Sequence, residues 1–184
     1  MATVADDLLE EVLARLNKKK TRETKAPVIA RDDRSQDVVL NALTKSTLAV
    51  FSTMCGWKVE AGEARNVIES ESRYDISGIV SISGSLNATV VVSLDKEIAF
   101  SAAEMFLGER PEKMNSDVVD MVGELTNMIG GSAKERCGMD GLTLGIPTVV
   151  AGAGHYVAYE SGLLLCHVPF NSEKGPFSIE FGIK

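Results

Sequence analysis

Asp120, Glu124 and Asn127 are separated by four and three residues. On an α-helix those steps bring all three side chains onto one face. An ionised carboxylate only accepts hydrogen bonds, whereas a primary amide both accepts and donates. A carboxylate and an amide thus project together from a surface that faces solvent, ready for hydrogen-bond chemistry with whatever approaches. The same spacing is also that of an ordinary solvated helix face. Val118, Val122, Leu125, Ile129 and Ala133 fall on the opposite face, which is therefore the expected core side. Gly123, Gly130 and Gly131 interrupt the stretch. An interior helix glycine costs about 1 kcal/mol relative to alanine, so close approach of another backbone or of a partner is the expected reason for them.

Other reactive side chains are weaker candidates. Cys137 with His155 or His167 would make a cysteine hydrolase, but no nucleophile signature surrounds Cys137, and both histidines fall in expected strands. Gly130-Gly131-Ser132-Ala133-Lys134 does not have the spacing of a phosphate-binding loop and follows a helix instead of joining a strand to one. Two histidines are too few for a metal site with the partners available, so no intrinsic metal is expected. Cys55, Cys137 and Cys166 are odd in number and widely spaced, which reads as buried thiols in a cytoplasmic protein.

The whole chain has 184 residues, 45% of them hydrophobic and 24% charged, the mix of a globular protein able to bury a core without staples. A net charge of -7 repels phosphate backbones, and aromatic residues at 5% offer no base-stacking platform, so nucleic acid is excluded as a partner. No apolar run reaches the roughly 20 residues of a membrane span, and Met1–Glu11 is acidic and unlike a secretory signal.

The first 35 residues differ from the rest. Val4, Leu8, Val12 and Leu16 make one apolar helical stripe, and a polar linker follows to residue 35. Beyond it, the periodicity predicts a helix over 36–55, an extended stretch over 57–69, and β-runs at 74–83 and 86–94 joined as a hairpin. A helix is expected over 95–107, and a long one over 116–137 with Ser116 as its N-cap. Three or four strands, at about 142–150, 153–160, 161–169 and 176–183, complete the chain. Asp37 and Asp120 lie 83 residues apart on the two main helices, and Ser77-Gly78 and Ser161-Gly162 lie 84 apart. This repeat predicts an α+β fold in which two pseudo-symmetric halves, each a helix plus antiparallel strands, share one antiparallel sheet with the helices on one face.

The stretch VVDMVGELTNMIGGSAK resembles the signature helix of the CheC/CheX family of chemotaxis phosphatases. The family pattern of Asp or Ser, three residues, Glu, two residues, Asn and a later Pro is met by Asp120, Glu124, Asn127 and Pro147. The 19 residues between Asn127 and Pro147 are slightly fewer than is usual. The first helix carries Asp37 but has Asn41 and Thr44 where Glu and Asn would stand. One intact site per chain resembles the CheX type, over residues 36–184.

The resemblance implies a phosphatase that hydrolyses the aspartyl phosphate of a CheY-like response regulator. Catalysis would fall to Asn127, orienting the attacking water, and to Glu124, pairing with the regulator's Lys. Asp120 and Pro147 would support the motif. It implies no cofactor of the protein's own, Mg²⁺ being supplied by the partner, a homodimer formed through the sheets, and no deep cavity. Relatives in the superfamily also serve as non-catalytic scaffolds of the flagellar switch, the alternative to catalysis.

Overall fold

β-branched residues crowd the centre of the sequence and form the centre of the sheet. The structure, a computed structural model, describes residues 33–70 and 74–184. The expected helix and linker before residue 33 lie outside the described residues. In chain order the elements are α1 (Asp33–Val50), β1 (Val59–Ala61), β2 (Arg65–Val67), β3 (Ile76–Ser83), β4 (Ala88–Leu94), α2 (Lys96–Leu107), α3 (Ser116–Cys137), β5 (Thr143–Leu144), β6 (Thr148–Ala151), β7 (Leu164–Ser172) and β8 (Gly175–Ile183). One π-helical turn, Phe51–Cys55, extends α1 to Gly56, whose φ of 69° ends it.

The eight strands form one antiparallel sheet in the order β1-β7-β8-β4-β3-β5, with β2 also on β7 and β6 also on β3. The α+β class and the layering agree with the expectation. The short strands of each half pair with the long strand of the other half. A pseudo-two-fold between β4 and β8 thus relates β3 to β7, the pair β1–β2 to β5–β6, and α1 to α3.

The two helices keep the offset of 83 position for position. Asp37 and Asp120 are exposed, Val39 and Val122 buried, Asn41 and Glu124 exposed, Ala42 and Leu125 buried, Thr44 and Asn127 half-buried. The second sequence match does not hold. Ser77 and Gly78 lie within β3, whereas Ser161 and Gly162 form the turn before β7, where Gly162 has φ 85°.

Three other expectations are corrected. The N-cap of α3 is Asn115, whose Oδ1 accepts from the Val118 N–H at 3.0 Å, because Ser116 already has helical geometry. No strand forms over 153–160. Gly152 and Gly154 take positive φ, and the segment lies on the sheet instead, with His155 Nδ1 donating to the Gly152 carbonyl at 2.6 Å and Nε2 lying 2.8 Å from Ser77 Oγ. Finally, α1 with its π-turn is long and apolar enough, by length and composition, to cross a membrane. An uninterrupted apolar run is lacking because Asn41, Lys45 and several Ser and Thr residues break it up. Val39, Ala42, Leu43, Val50 and Phe51 are buried in the core.

That core lies between the helices and the sheet, centred on Phe51, Phe177, Phe181, Leu125, Ile129 and Ile179. Ile179 and Phe181 point into it, so Glu180 between them points to the other face. There its carboxylate accepts from His167 Nδ1 at 3.0 Å and from Ser70 Oγ at 2.6 Å. A buried carboxylate requires such partners.

Candidate functional site

The long helix α3 presents the site. Its sequence tells it where to begin and end: Asn115 caps the first turn, Asp117 is in that turn, and Lys134 and Arg136 are in the last. Val118, Val122, Leu125, Ile129 and Ala133 are buried against the core, as the periodicity required, and Met121 is buried with them. The helix lies close to β3. A side chain at Gly78 would run into the Thr126 hydroxyl, and one at Gly130 would place its Cβ 2.9 Å from Val80 Cγ1. Close packing of the Val80 and Leu144 side chains, not of another backbone, accounts for Gly130. It does not account for Gly131, where a Cβ would have ordinary room.

The opposite side of α3 faces solvent. Asp120 and Glu124 are exposed and Asn127 is half-buried. These three and Pro147 line one open concavity of about 530 Å³, together with Val119, Gly123, Gly145, Ile146 and Val149. The shorter spacing from Asn127 thus still places Pro147 on the same concavity. The concavity is a shallow surface depression between α3 and the β5–β6 turn.

The turn and the strand β6 that follows it are both tied to the sheet. The Gly145 N–H donates to the Ser81 carbonyl at 2.8 Å, and the Gly152 N–H donates to the Asp75 carbonyl at 2.8 Å. Thr143 and Ser83 hydroxyls meet at 2.9 Å. Glycine at 145 lets the turn lie against β3, since a Cβ there would strike the Ser81 hydroxyl unless that side chain turned away. Pro147 then restricts both its own backbone and that of Ile146. A helix face and a turn held to the sheet therefore frame Glu124 and Asn127.

The competing constellations do not assemble. Burial pushes the Cys137 thiol above its ordinary range, away from a reactive thiolate. His155 is engaged with Gly152 and Ser77, and His167 with Glu180. Gly130–Lys134 lies within α3, not at a strand-to-helix loop. Among the described residues, no group of three or more His, Cys, Asp or Glu side chains is placed to hold a metal ion.

The sequence did not point to Val119, Gly145, Ile146 or Val149 as parts of this concavity, and it marked Gly123 only as a glycine open to close approach. Ile146 is 93% exposed. An isoleucine between Gly145 and Pro147, in a turn where polar residues are usual, was the available signal.

The family model described as chemotaxis phosphatase CheX matches residues 76–171. Among solved structures, a CheC-like superfamily protein from Shewanella sp. PV-4 is 28% identical, with a TM-score of 0.74 over 80% of this chain and 97% of that one. A chemotaxis protein CheX from Vibrio vulnificus is 29% identical, with a TM-score of 0.73 over 79% of this chain and 99% of the other. A Borrelia burgdorferi chain solved as a CheX–CheY–BeF3–Mg²⁺ complex shares the fold at 18% identity, with a TM-score of 0.66 over 79% of this chain and 97% of that one. No curated protein sequence matches the chain.

Proposed function

The chain belongs to the CheX family of chemotaxis phosphatases, and from that premise we propose that it hydrolyses the aspartyl phosphate of a CheY-like response regulator. The observation that carries the reading is the convergence of Glu124, Asn127 and Pro147 on one open concavity that a globular partner can enter. The Borrelia structure, a CheX-family fold solved with CheY, supports the choice of partner.

Phosphoryl transfer asks mainly for an in-line nucleophile and for neutralised charge. The regulator brings the acyl phosphate and the Mg²⁺ that travels with it, so the phosphatase needs few groups of its own. The Asn127 amide oxygen accepts from the attacking water, and its NH₂ faces the phosphoryl oxygens. A carboxylate in its place would repel them. The water oxygen bonds to phosphorus as the bond from phosphorus to the aspartyl oxygen breaks. Inorganic phosphate leaves with the water's proton, and the regulator recovers its carboxylate.

Glu124 is one turn away on the same face and pairs with the regulator's Lys, setting the register of the two proteins. Asp120 aids docking, and Pro147 stiffens the opposing turn. The protein works in the cytoplasm, where its partner is charged, and as a homodimer joined through its sheets.

Decay of an acetyl-phosphate-charged regulator tests this directly. N127A is expected to reduce the accelerated rate by about 100-fold or more while the fold is retained, and E124A to weaken binding before it lowers the bound rate. Wild-type decay with N127A would overturn the role of the amide. A regulator lifetime unchanged by the intact protein would favour a scaffold.

A further inference from the structure

We propose that Ile146 is an apolar docking post for the response regulator, standing beside Asn127 and helping to decide which regulator is accepted. The inference rests on the phosphatase reading above. An isoleucine that is 93% exposed contributes little to the fold. It lines the same concavity as Glu124 and Asn127, so any partner that covers the amide must cover Ile146 as well. A large apolar side chain at the edge of a polar functional group is the arrangement that interface anchors share.

The internal repeat supplies a control within the same molecule. At the offset of 83, Gly145-Ile146-Pro147 corresponds to Gly62-Glu63-Ala64. The two turns are built alike. The Gly62 N–H donates to the Pro169 carbonyl at 2.8 Å, as the Gly145 N–H donates to that of Ser81. Neither glycine has room for a side chain against the neighbouring strand. The tips differ. The half with Asn41 and Thr44 on its helix carries an exposed Glu63 and then Ala64. The half with Glu124 and Asn127 carries an exposed Ile146 and then Pro147. The apolar tip and the proline thus occur on the side that has the functional pair.

The chemistry of the partner fits this division. An acyl phosphate, and the oxygen ligands that hold its Mg²⁺, make an acidic centre that disfavours a carboxylate at the tip unless, like Glu124, it meets a cation of the partner. An isoleucine seats instead on an apolar patch at the rim of that centre. Because Gly145 and Pro147 hold the tip in place, little freedom is lost on docking.

The test uses a CheY-type regulator of the source organism that the wild-type protein dephosphorylates. KM and kcat are measured with the acetyl-phosphate-charged form, and Kd with the beryllofluoride–Mg²⁺ form. I146A is expected to raise KM and Kd about tenfold with kcat within about twofold, I146L to stay near wild type, and I146E to raise KM further. The unfolding midpoint of I146A should not move. N127A serves as the control, losing kcat while Kd holds. If N127A is inactive but I146A and I146E keep wild-type KM and Kd, the docking post is overturned and the phosphatase reading stands. A loss of kcat in I146A at unchanged KM would equally overturn it. If N127A turns over like wild type, the phosphatase reading itself fails.

Discussion

The two halves of this molecule repeat one arrangement of helix and strands, and the Glu-x-x-Asn pair stands on the helix of the second half, with Asn41 and Thr44 at the matching places of the first. Where α3 has Gly123, α1 has Leu40, which is partly buried and packed on the core. Where α3 and β6 bring Val119 and Val149 into the concavity, the first half has Gln36 and Asn66, whose side chains close on each other at 2.6 Å. Glu124, Asn127, Ile146 and Pro147 are matched by Asn41, Thr44, Glu63 and Ala64. The buried faces of the two helices keep the same phase, with Val39 and Val122, Ala42 and Leu125, Ser46 and Ile129 all buried. Packing thus constrains both copies, whereas the exposed face is free to carry a site or to lose it.

Copying the first half's residue into the second offers the largest effect on this contrast. G123L would place on the floor of the concavity the side chain that α1 carries at Leu40. Its Cβ meets only Val149 Cγ2, at 3.5 Å, so the fold accepts it. Removing an interior glycine favours the helix by up to about 1 kcal/mol. The rest of the leucine then stands where the regulator should sit. The expected result is an undiminished unfolding midpoint with KM raised about tenfold or more. Wild-type KM in G123L would mean that the concavity is not the partner's seat.

A stability difference comes next. Gly78 of β3 pairs with Val149 of β6, and its counterpart, Cys166 of β7, pairs with Asn66 of β2. The helix residue opposite Gly78 is Thr126, whose hydroxyl donates to the Val122 carbonyl at 2.7 Å, and its counterpart on α1 is the larger Leu43. The site helix is thus set close to the sheet by a small pair, and its face is held still. G78A would force the Thr126 side chain and the Val122 carbonyl to move. It should cost about 2–3 kcal/mol, read as a lower denaturant midpoint. A midpoint equal to wild type would show that α3 is not clamped at this point.

Much of this was legible in the residues, for identifiable reasons. The apolar period of α3 fixed its core face, and the β-branched runs fixed β3 and β4. Asp120, Glu124, Asn127 and Pro147 could be named because helical spacing and a family pattern agreed. What was hidden depends on contacts distant in sequence. No local signal shows that β1 and β2 pair with β7 of the other half, or that 153–160, despite alternating residues, lies on the sheet through His155 instead of joining it. Ile146 acquires meaning, and Gly123 a definite neighbourhood, only when α3 and the β5–β6 turn are seen to share one concavity.

The smallest expected effect concerns the ends of the two helices. Both stop at a Cys-Gly step, with Gly56 at φ 69° and Gly138 at φ 63°. Burial raises both thiols, and the shift is the larger at Cys55, which is pushed up to about 11. In the unfolded chain a thiol ionises near pH 8.5. As pH rises through about 9, the unfolded chain therefore begins to release this proton while the folded protein keeps it. Folding stability falls until about pH 11, where the folded thiol ionises too and this contribution levels off. Below about pH 8 the group contributes no slope. Tyr74 and Tyr159 are raised by burial in the same sense, so the total slope does not isolate the cysteine. The difference between proteins does. C55A should unfold with a shallower loss of midpoint between about pH 9 and 11 than wild type, and C137A should change that slope less. Equal slopes for C55A and wild type would mean that the end of α1 admits water, and that the two helix ends differ less than their burial indicates.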